Sequence, residues 1–139
     1  MKELTIKEAE LLGIKMKNHQ MDNGEKRFRL IQDSGSSYIC TVSSDESGWQ
    51  NSHVHNKKKE VYLVEKGCIL VAKFMNDKVE IQKLYPDEMV SMSIGVPHNI
   101  YMCANTVLHT IKYGTSEEDW NACVELDEKL ILINLSSYM

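Results

Sequence analysis

The chain has no long apolar run, no excess of basic charge and no Cys-x-x-Cys pair. Without about 18 consecutive apolar residues, no membrane-spanning helix is expected. Sixteen Lys and Arg against 20 Asp and Glu leave a net charge of −4. A nucleic-acid binder usually carries a basic stripe, and no helix-turn-helix segment stands out, so no nucleic-acid partner is expected. The four cysteines, Cys40, Cys68, Cys103 and Cys123, are scattered and read as reduced, mostly buried thiols. The start, Met1-Lys2-Glu3-Leu4-Thr5, brings an acid early and no apolar stretch, unlike a signal peptide. A cytoplasmic protein is the expectation. The apolar fraction of 42% and charged fraction of 26% suit an ordinary globular chain rather than a disordered one.

With 139 residues, the simplest organisation is one domain over residues 1–139. That length buries a core without disulfide support. Thr5 to Leu12 suits a short helix or an edge segment, and residues 1–25 otherwise show little periodicity. From there the pattern is short strands and turns. Strands are predicted at Lys26–Gln32, Ser37–Val42, Gln50–His55, Glu60–Lys66, Cys68–Met75, Lys78–Leu84, Glu88–Ser93, His98–Cys103 and Thr106–Tyr113. Turn signals part them, among them Asp33-Ser34-Gly35-Ser36, Asn76-Asp77, Pro86-Asp87 and Gly95-Val96-Pro97. Many short strands at this spacing argue for an all-β sandwich or barrel, with its core over about 26–113.

The end, about 115–139, changes character. Thr115-Ser116-Glu117-Glu118 has the form of a capping box, and acids crowd what would be a first turn. A helix over about Glu117–Lys129 is predicted, with Trp120 anchoring it on the barrel or at a dimer contact. Leu130-Ile131-Leu132-Ile133 reads as a strand or a packed tail.

Four metal-seeking side chains stand out: His53, His55, Glu60 and His98. Strand side chains alternate faces, so His53 and His55 can reach one ion together. Glu60 can return to them across the polar turn Asn56 to Lys59. His98 would close the set from a separate strand. Three imidazoles and a carboxylate suit a divalent transition ion such as Fe, Mn, Ni, Co, Cu or Zn, and suit Mg or Ca less, since those prefer all-oxygen shells. Parity with the ligands puts Trp49, Asn51, Tyr62, Val64, Ile100 and Met102 on the inner face. On the last strand Lys112 makes a poor interior residue, so the expected inner set is Val107, His109, Ile111 and Tyr113. Tyr62 and His109 are then the candidate catalytic proton carriers. Lys57-Lys58-Lys59 reads as a solvated turn that could attract an anion, and Met89, Met92 and Met102 read as core filler.

The spacing His-x-His-x4-Glu-x6-Gly, met by His53, His55, Glu60 and Gly67, resembles the first signature of the cupin superfamily. Gly95-Val96-Pro97-His98 resembles the end of the second, and the likeness covers roughly residues 45–113. It differs in detail: Gly48 is displaced by one, Asp87 replaces a glycine, Ser93 a proline and Met102 an asparagine. The resemblance implies a double-stranded β-helix, or jelly-roll barrel, with a short C-terminal helix, a metal on His53, His55, Glu60 and His98, and a homodimer. Two functions from different classes fit. One is a metal-dependent enzyme acting on a small polar molecule, with sugar or carbonyl isomerase or epimerase chemistry favoured slightly over a dioxygenase. The other is a non-catalytic module that binds or senses a small ligand.

Overall fold

Alternating exposure along the strands separates an inner from an outer side, and two antiparallel sheets close on the inner one. The computed structural model describes residues 1–139. A short helix α1 (Ile6–Leu11) is followed by β1 (Ile14–Gln20), β2 (Lys26–Gln32), β3 (Ser37–Val42), β4 (Gly48–Trp49), β5 (His53–Val54), β6 (Lys59–Lys66), β7 (Ile69–Met75), β8 (Lys78–Leu84), β9 (Met89–Met92), β10 (His98–Met102), β11 (Val107–Tyr113), β12 (Asn121–Ala122) and helix α2 (Val124–Ile131). One sheet runs β1-β2-β3-β11-β6-β9 and the other β12-β5-β10-β7-β8, with β4 also paired to β10. This is the jelly-roll barrel that the strand spacing and the signature resemblance imply.

The core lies between the sheets. Tyr62, Val64, Met92 and Leu108 from the first meet Ile69, Val71, Leu84, Ile100 and Met102 from the second. Each fully buried aliphatic side chain among them contributes about 2 kcal/mol. Gly67 turns β6 into β7 at φ +79°, and an added Cβ there would lie 2.2 Å from Thr106 Oγ1. Only glycine takes that turn without strain. On the outer side of the second sheet, Leu126 and Leu130 of α2 pack on Ala72, with Trp49, Phe74 and Ile81 against them.

Several expectations are corrected. Strand β1 lies in the stretch that showed no period. Only Ile14 and Met16 are apolar there, and it is pairing with β2 along its whole length that makes it a strand. The predicted strand Gln50–His55 is broken. The ladder is interrupted between Trp49 and His53, where Ser52 N–H donates to Asp127, so parity does not carry from Trp49 to His53. Trp49 faces the outer cluster, its ring edge-on to Tyr101 at 5.3 Å.

The C-terminal helix starts at Val124 rather than Glu117. Thr115 Oγ1 accepts from Glu117 N–H at 3.2 Å as a turn, and no helix follows it. What fixes α2 is its apolar pair Leu126 and Leu130, spaced to lie on one face, and Leu130–Ile133 closes the helix instead of forming a strand. Trp120 precedes the helix and does not anchor it. Met92 and Met102 are core, but Met89 is exposed.

Candidate metal centre

β5 and β10 pair antiparallel with His53 directly opposite His98. His55 follows at the end of β5, and Glu60 enters on β6 after the lysine turn. All four side chains are buried. One ligand atom from each lies within 4.8 Å of the others. His98 Nε2 is 2.8 Å from Glu60 Oε1, His55 Nε2 is 3.4 Å from Glu60 Oε2, and His53 Nε2 is 3.9 Å from Glu60 Oε1.

The far side of each ring is tied to a backbone carbonyl. His53 Nδ1 bonds to Asn51 O at 2.9 Å, His98 Nδ1 to Val96 O at 2.9 Å, and His55 Nδ1 to Asp119 O. A carbonyl only accepts, so each Nδ1 carries the proton and each Nε2 turns a lone pair inward. Three lone pairs and a carboxylate then face one another, and such a set repels unless a cation lies among them. His53 Nε2, His55 Nε2 and Glu60 Oε2 have no hydrogen-bond partner. Buried polar atoms are rarely left so, and these are the atoms a divalent ion would join. Carbonyl-fixed imidazoles are the usual support of metal-bound histidines. The donor set therefore fits a divalent transition metal.

Burial pushes the Glu60 carboxyl upward. The close approach of the polar His53, His55 and His98 rings, helped by the Lys112 cation, outweighs it and holds Glu60 well below the usual carboxylate range. Burial lowers His53 in spite of Glu60 beside it, which favours the neutral, ligating imidazole. Tyr62 donates its phenol proton to Glu60 Oε1. Burial first, then the Glu60 charge, raises Tyr62 well above its ordinary value, so it stays protonated.

Asp119 was not anticipated. Its carboxylate accepts the backbone N–H groups of Asn56, Lys57 and Lys58 at 2.9, 2.6 and 2.7 Å. Burial raises its carboxyl, but these three donors prevail and bring it to about 2. The residue thus clamps the turn between His55 and Glu60 while its carbonyl orients the His55 ring. Its acid sits where a helical first turn was predicted, and no local pattern marks the difference. The lysine turn itself is solvated, with Lys57 Nζ on exposed Glu117.

A cavity of about 190 Å³ opens beside the ligands, lined among others by Arg27, Arg29, His53, Tyr62, Lys112 and Trp120. Trp120 stacks on His53 with 5.4 Å between rings. Tyr62 is where parity puts it. His109 is not, and the predicted inner face of the last strand is the opposite one. Leu108 and Thr110 are buried, whereas Ile111 and Tyr113 are half-exposed. His109 lies outside the cavity, between Tyr38 Oη at 2.6 Å and Glu65 Oε1 at 2.9 Å. Lys112 faces inward because a buried anion awaits it: its Nζ is 3.3 Å from Glu60 Oε2.

Neither a family model nor a curated protein sequence matches the chain. Solved structures do match in shape. Oxalate decarboxylase of Bacillus subtilis at pH 4.6 superposes with a TM-score of 0.64 at 12% identity, over 88% of this chain and 33% of that one. A second structure of that enzyme, described for its Mn(II) centres, gives 0.64 at 11%, over 88% and 36%. KdgF from Halomonas sp. gives 0.57 at 13%, over 74% of this chain and 88% of that one. The chain has the cupin fold. It spans about a third of the length of the oxalate decarboxylase structures it matches.

Within the cupin frame, one departure from the second signature falls where the backbone tolerates it. Asp87, standing in place of a glycine, keeps the left-handed conformation at φ 70°. Asp and Asn are the side chains that most readily follow glycine there.

Proposed function

We propose that this small metal-binding cupin is a metal-dependent enzyme acting on a small polar molecule, and that its chemistry is isomerisation or epimerisation of a sugar or carbonyl compound rather than dioxygen insertion. The observation that carries the proposal is the cluster of three inward Nε2 lone pairs and the Glu60 carboxylate, with orphaned buried atoms, opening on a polar cavity. A divalent ion held by His53, His55, Glu60 and His98 would supply Lewis acidity, polarising a carbonyl oxygen. The chain's own contribution is positional. Tyr62 holds a proton beside Glu60 and can lend it to a developing oxygen anion, while Trp120 and His53 form one wall. Isomerisation moves a proton within the substrate and needs no external oxidant, which suits a site whose acid is a phenol. Oxalate decarboxylase, similar in fold, is by its name an enzyme of a small molecule.

The second reading, a ligand-binding or sensing module, is favoured by one observation: His109, one of the two expected proton carriers, lies on the far side of its strand, bonded to Tyr38 and Glu65.

The proposal includes the 139 residues as one working unit, in the cytoplasm, where four free thiols are at home. No helix is long and apolar enough to cross a membrane. A homodimer belongs to it too. On the outer side of the first sheet, the rows Met16, Leu30, Tyr38, Ile111 and Phe28, Cys40, His109, Leu63, Met89 lie in register. Met16, Phe28, Leu30, Ile111 and Met89 are all more than two-fifths exposed. A contiguous apolar face of this kind marks an association surface, and a second copy covers it by pairing the same patch about a two-fold axis. Ile111→Glu should convert a sedimenting dimer to monomer.

Metal analysis of the purified chain, with His53→Ala as control, tests the central reading. Zinc, nickel or manganese at one per chain, lost in the variant, supports the isomerase; iron moves the weight to dioxygen chemistry. A wild-type chain that neither carries nor takes up metal refutes it.

A further inference from the structure

We infer that the cavity beside the metal ligands is built for a small carboxylic acid, with the Arg29 guanidinium as the anchor of its carboxylate and its other oxygen turned toward His53 and Glu60. The inference rests on the enzyme reading for the second half of that geometry; the carboxylate anchor stands on Arg29 alone.

Arg27 and Arg29 lie two apart on β2, so both point inward, and both line the cavity. Their charges are handled differently. Arg27 Nε meets Glu25 Oε1 at 2.8 Å, and Glu25 is itself buried. Arg29 pairs with no carboxylate. Burial, and then the like charge of Arg27, lower its guanidinium, with only Glu25 acting against them. In a chain of net charge −4, a half-buried cation beside another cation and without a counter-ion is a costly arrangement. A ligand anion would complete it, as buried charges elsewhere in the molecule are completed by partners.

The register gives the dimensions. Arg29 is in one inward row with Ile39, Thr110 and Tyr62. Three strand spacings separate Arg29 from Tyr62, roughly 14 Å of backbone, with Lys112 and Glu60 in the adjoining row. Tyr62 turns its phenol to Glu60, so Arg29 and the ligand cluster lie at two ends of this row, and a ligand bridging them would span a few carbons. A cavity of about 190 Å³ is below the size of drug-like pockets and matches a hydroxy or oxo acid of that length. A single free guanidinium presents a planar fork that a carboxylate meets bidentately. A phosphate dianion would ask for more donors than one.

Succinate is the probe, with succinamide as its neutral counterpart and inorganic phosphate as the competing anion. Binding is measured by calorimetry to the metal-loaded and the metal-free chain. Succinate should bind at least roughly tenfold tighter than succinamide, in both forms and tightest in the loaded one. Arg29→Gln should erase that preference while metal content and thermal midpoint stay at wild-type values, and Arg29→Lys should restore part of it. Equal affinities for succinate and succinamide, a preference that survives Arg29→Gln, or binding of phosphate in place of succinate would each overturn the inference. A chain that takes no metal yet prefers succinate through Arg29 sinks the enzyme reading alone. A metal-loaded chain with no such preference sinks only this one.

Discussion

Lys112→Met should weaken the metal-free protein and tighten its hold on metal, and the two effects arise from the same 3.3 Å contact. Lys112 Nζ reaches Glu60 Oε2 with its side chain only 20% exposed and the glutamate's 1% exposed. At an effective dielectric of about 20, unit charges at that separation attract by about 5 kcal/mol. Lysine gives up hydration to be there, and the Tyr62 hydroxyl still donates to the same carboxylate. The net loss on replacing Lys112 by methionine, which is close to it in length, is therefore roughly 2–3 kcal/mol. In a chain of this size that lowers the thermal midpoint by on the order of 10 °C. With a dication on the ligands, Glu60 no longer needs the lysine, and lysine and metal repel. The same substitution then costs under about 1 kcal/mol. Closing the cycle, the variant should bind metal about 30-fold tighter, from a difference of roughly 2 kcal/mol.

Two assays read this: chemical denaturation of the stripped chain, and metal titration against a competing chelator. The pH dependence adds a sign. Glu60 is held below its ordinary value in the fold, so its stabilisation is complete above about pH 4.5 and fades as pH falls below that. The gap between wild type and variant should hold through that window and narrow only at the much lower pH where folded Glu60 itself takes up a proton. Metal affinity in Lys112→Met equal to or weaker than wild type would refute the electrostatic account.

Other changes test other contacts. Asp119→Ala should loosen metal binding by about 10–100-fold with the fold kept, and Asp119→Asn by less, because an amide oxygen still accepts; chelator competition that finds Asp119→Ala at wild-type affinity refutes the clamp. Tyr62→Phe should cost about 2 kcal/mol at neutral pH for the lost bond to a charged acceptor. Tyr62 is raised in the fold, so its contribution is full below about pH 10 and declines as pH rises further; denaturation at pH 8 and pH 11 should show the wild-type advantage shrinking. Gly67→Ala places a methyl 2.2 Å from Thr106 Oγ1 and 2.8 Å from Thr106 Cα at φ +79°, which should cost about 3 kcal/mol, and a denaturation midpoint close to wild type would show that the turn relaxes freely.

What was legible in the sequence depended on whether local pattern and tertiary role agreed. Lys26–Gln32, Ser37–Val42 and Lys78–Leu84 are short runs set off by turn residues, and they form strands at those limits. The cluster of His53, His55, Glu60 and His98 could be read because ligand chemistry is written in residue type and spacing, and Gly67 because one backbone conformation needs it. Residues 14–20 were missed because that strand is held by pairing with β2 and carries little apolar pattern of its own. The C-terminal helix was misplaced because Thr115 and the acids after it imitate a helix start. The true signal, Leu126 and Leu130 meeting Ala72, lies on a surface that only the folded sheet creates.

The facing error on the last strand bears on function. Period-2 reasoning sends apolar residues inward; on β11 it chooses His109 and Ile111 over Thr110 and Lys112, and on β2 the same rule would choose Phe28 and Leu30 over Arg27 and Arg29. The fold makes the opposite choice on both strands: Phe28, Leu30 and Ile111 stay exposed, and the arginines and lysine line the cavity. Such an inversion is unfavourable for a barrel that only has to fold, since it takes cations from water and leaves apolar surface in it. It is what two further demands would impose together: a charged interior facing an anionic carboxylate and ligand, and an apolar exterior facing a second copy. Consistency between local pattern and fold breaks most often where a protein acts on something else. Here the break runs along two strands, inside and outside at once, so Arg29→Gln and Ile111→Glu examine opposite faces of one arrangement. Loss of carboxylate preference in the first and of self-association in the second would tie the inversion to function, whereas two variants more stable than wild type with binding and assembly intact would leave it without a purpose.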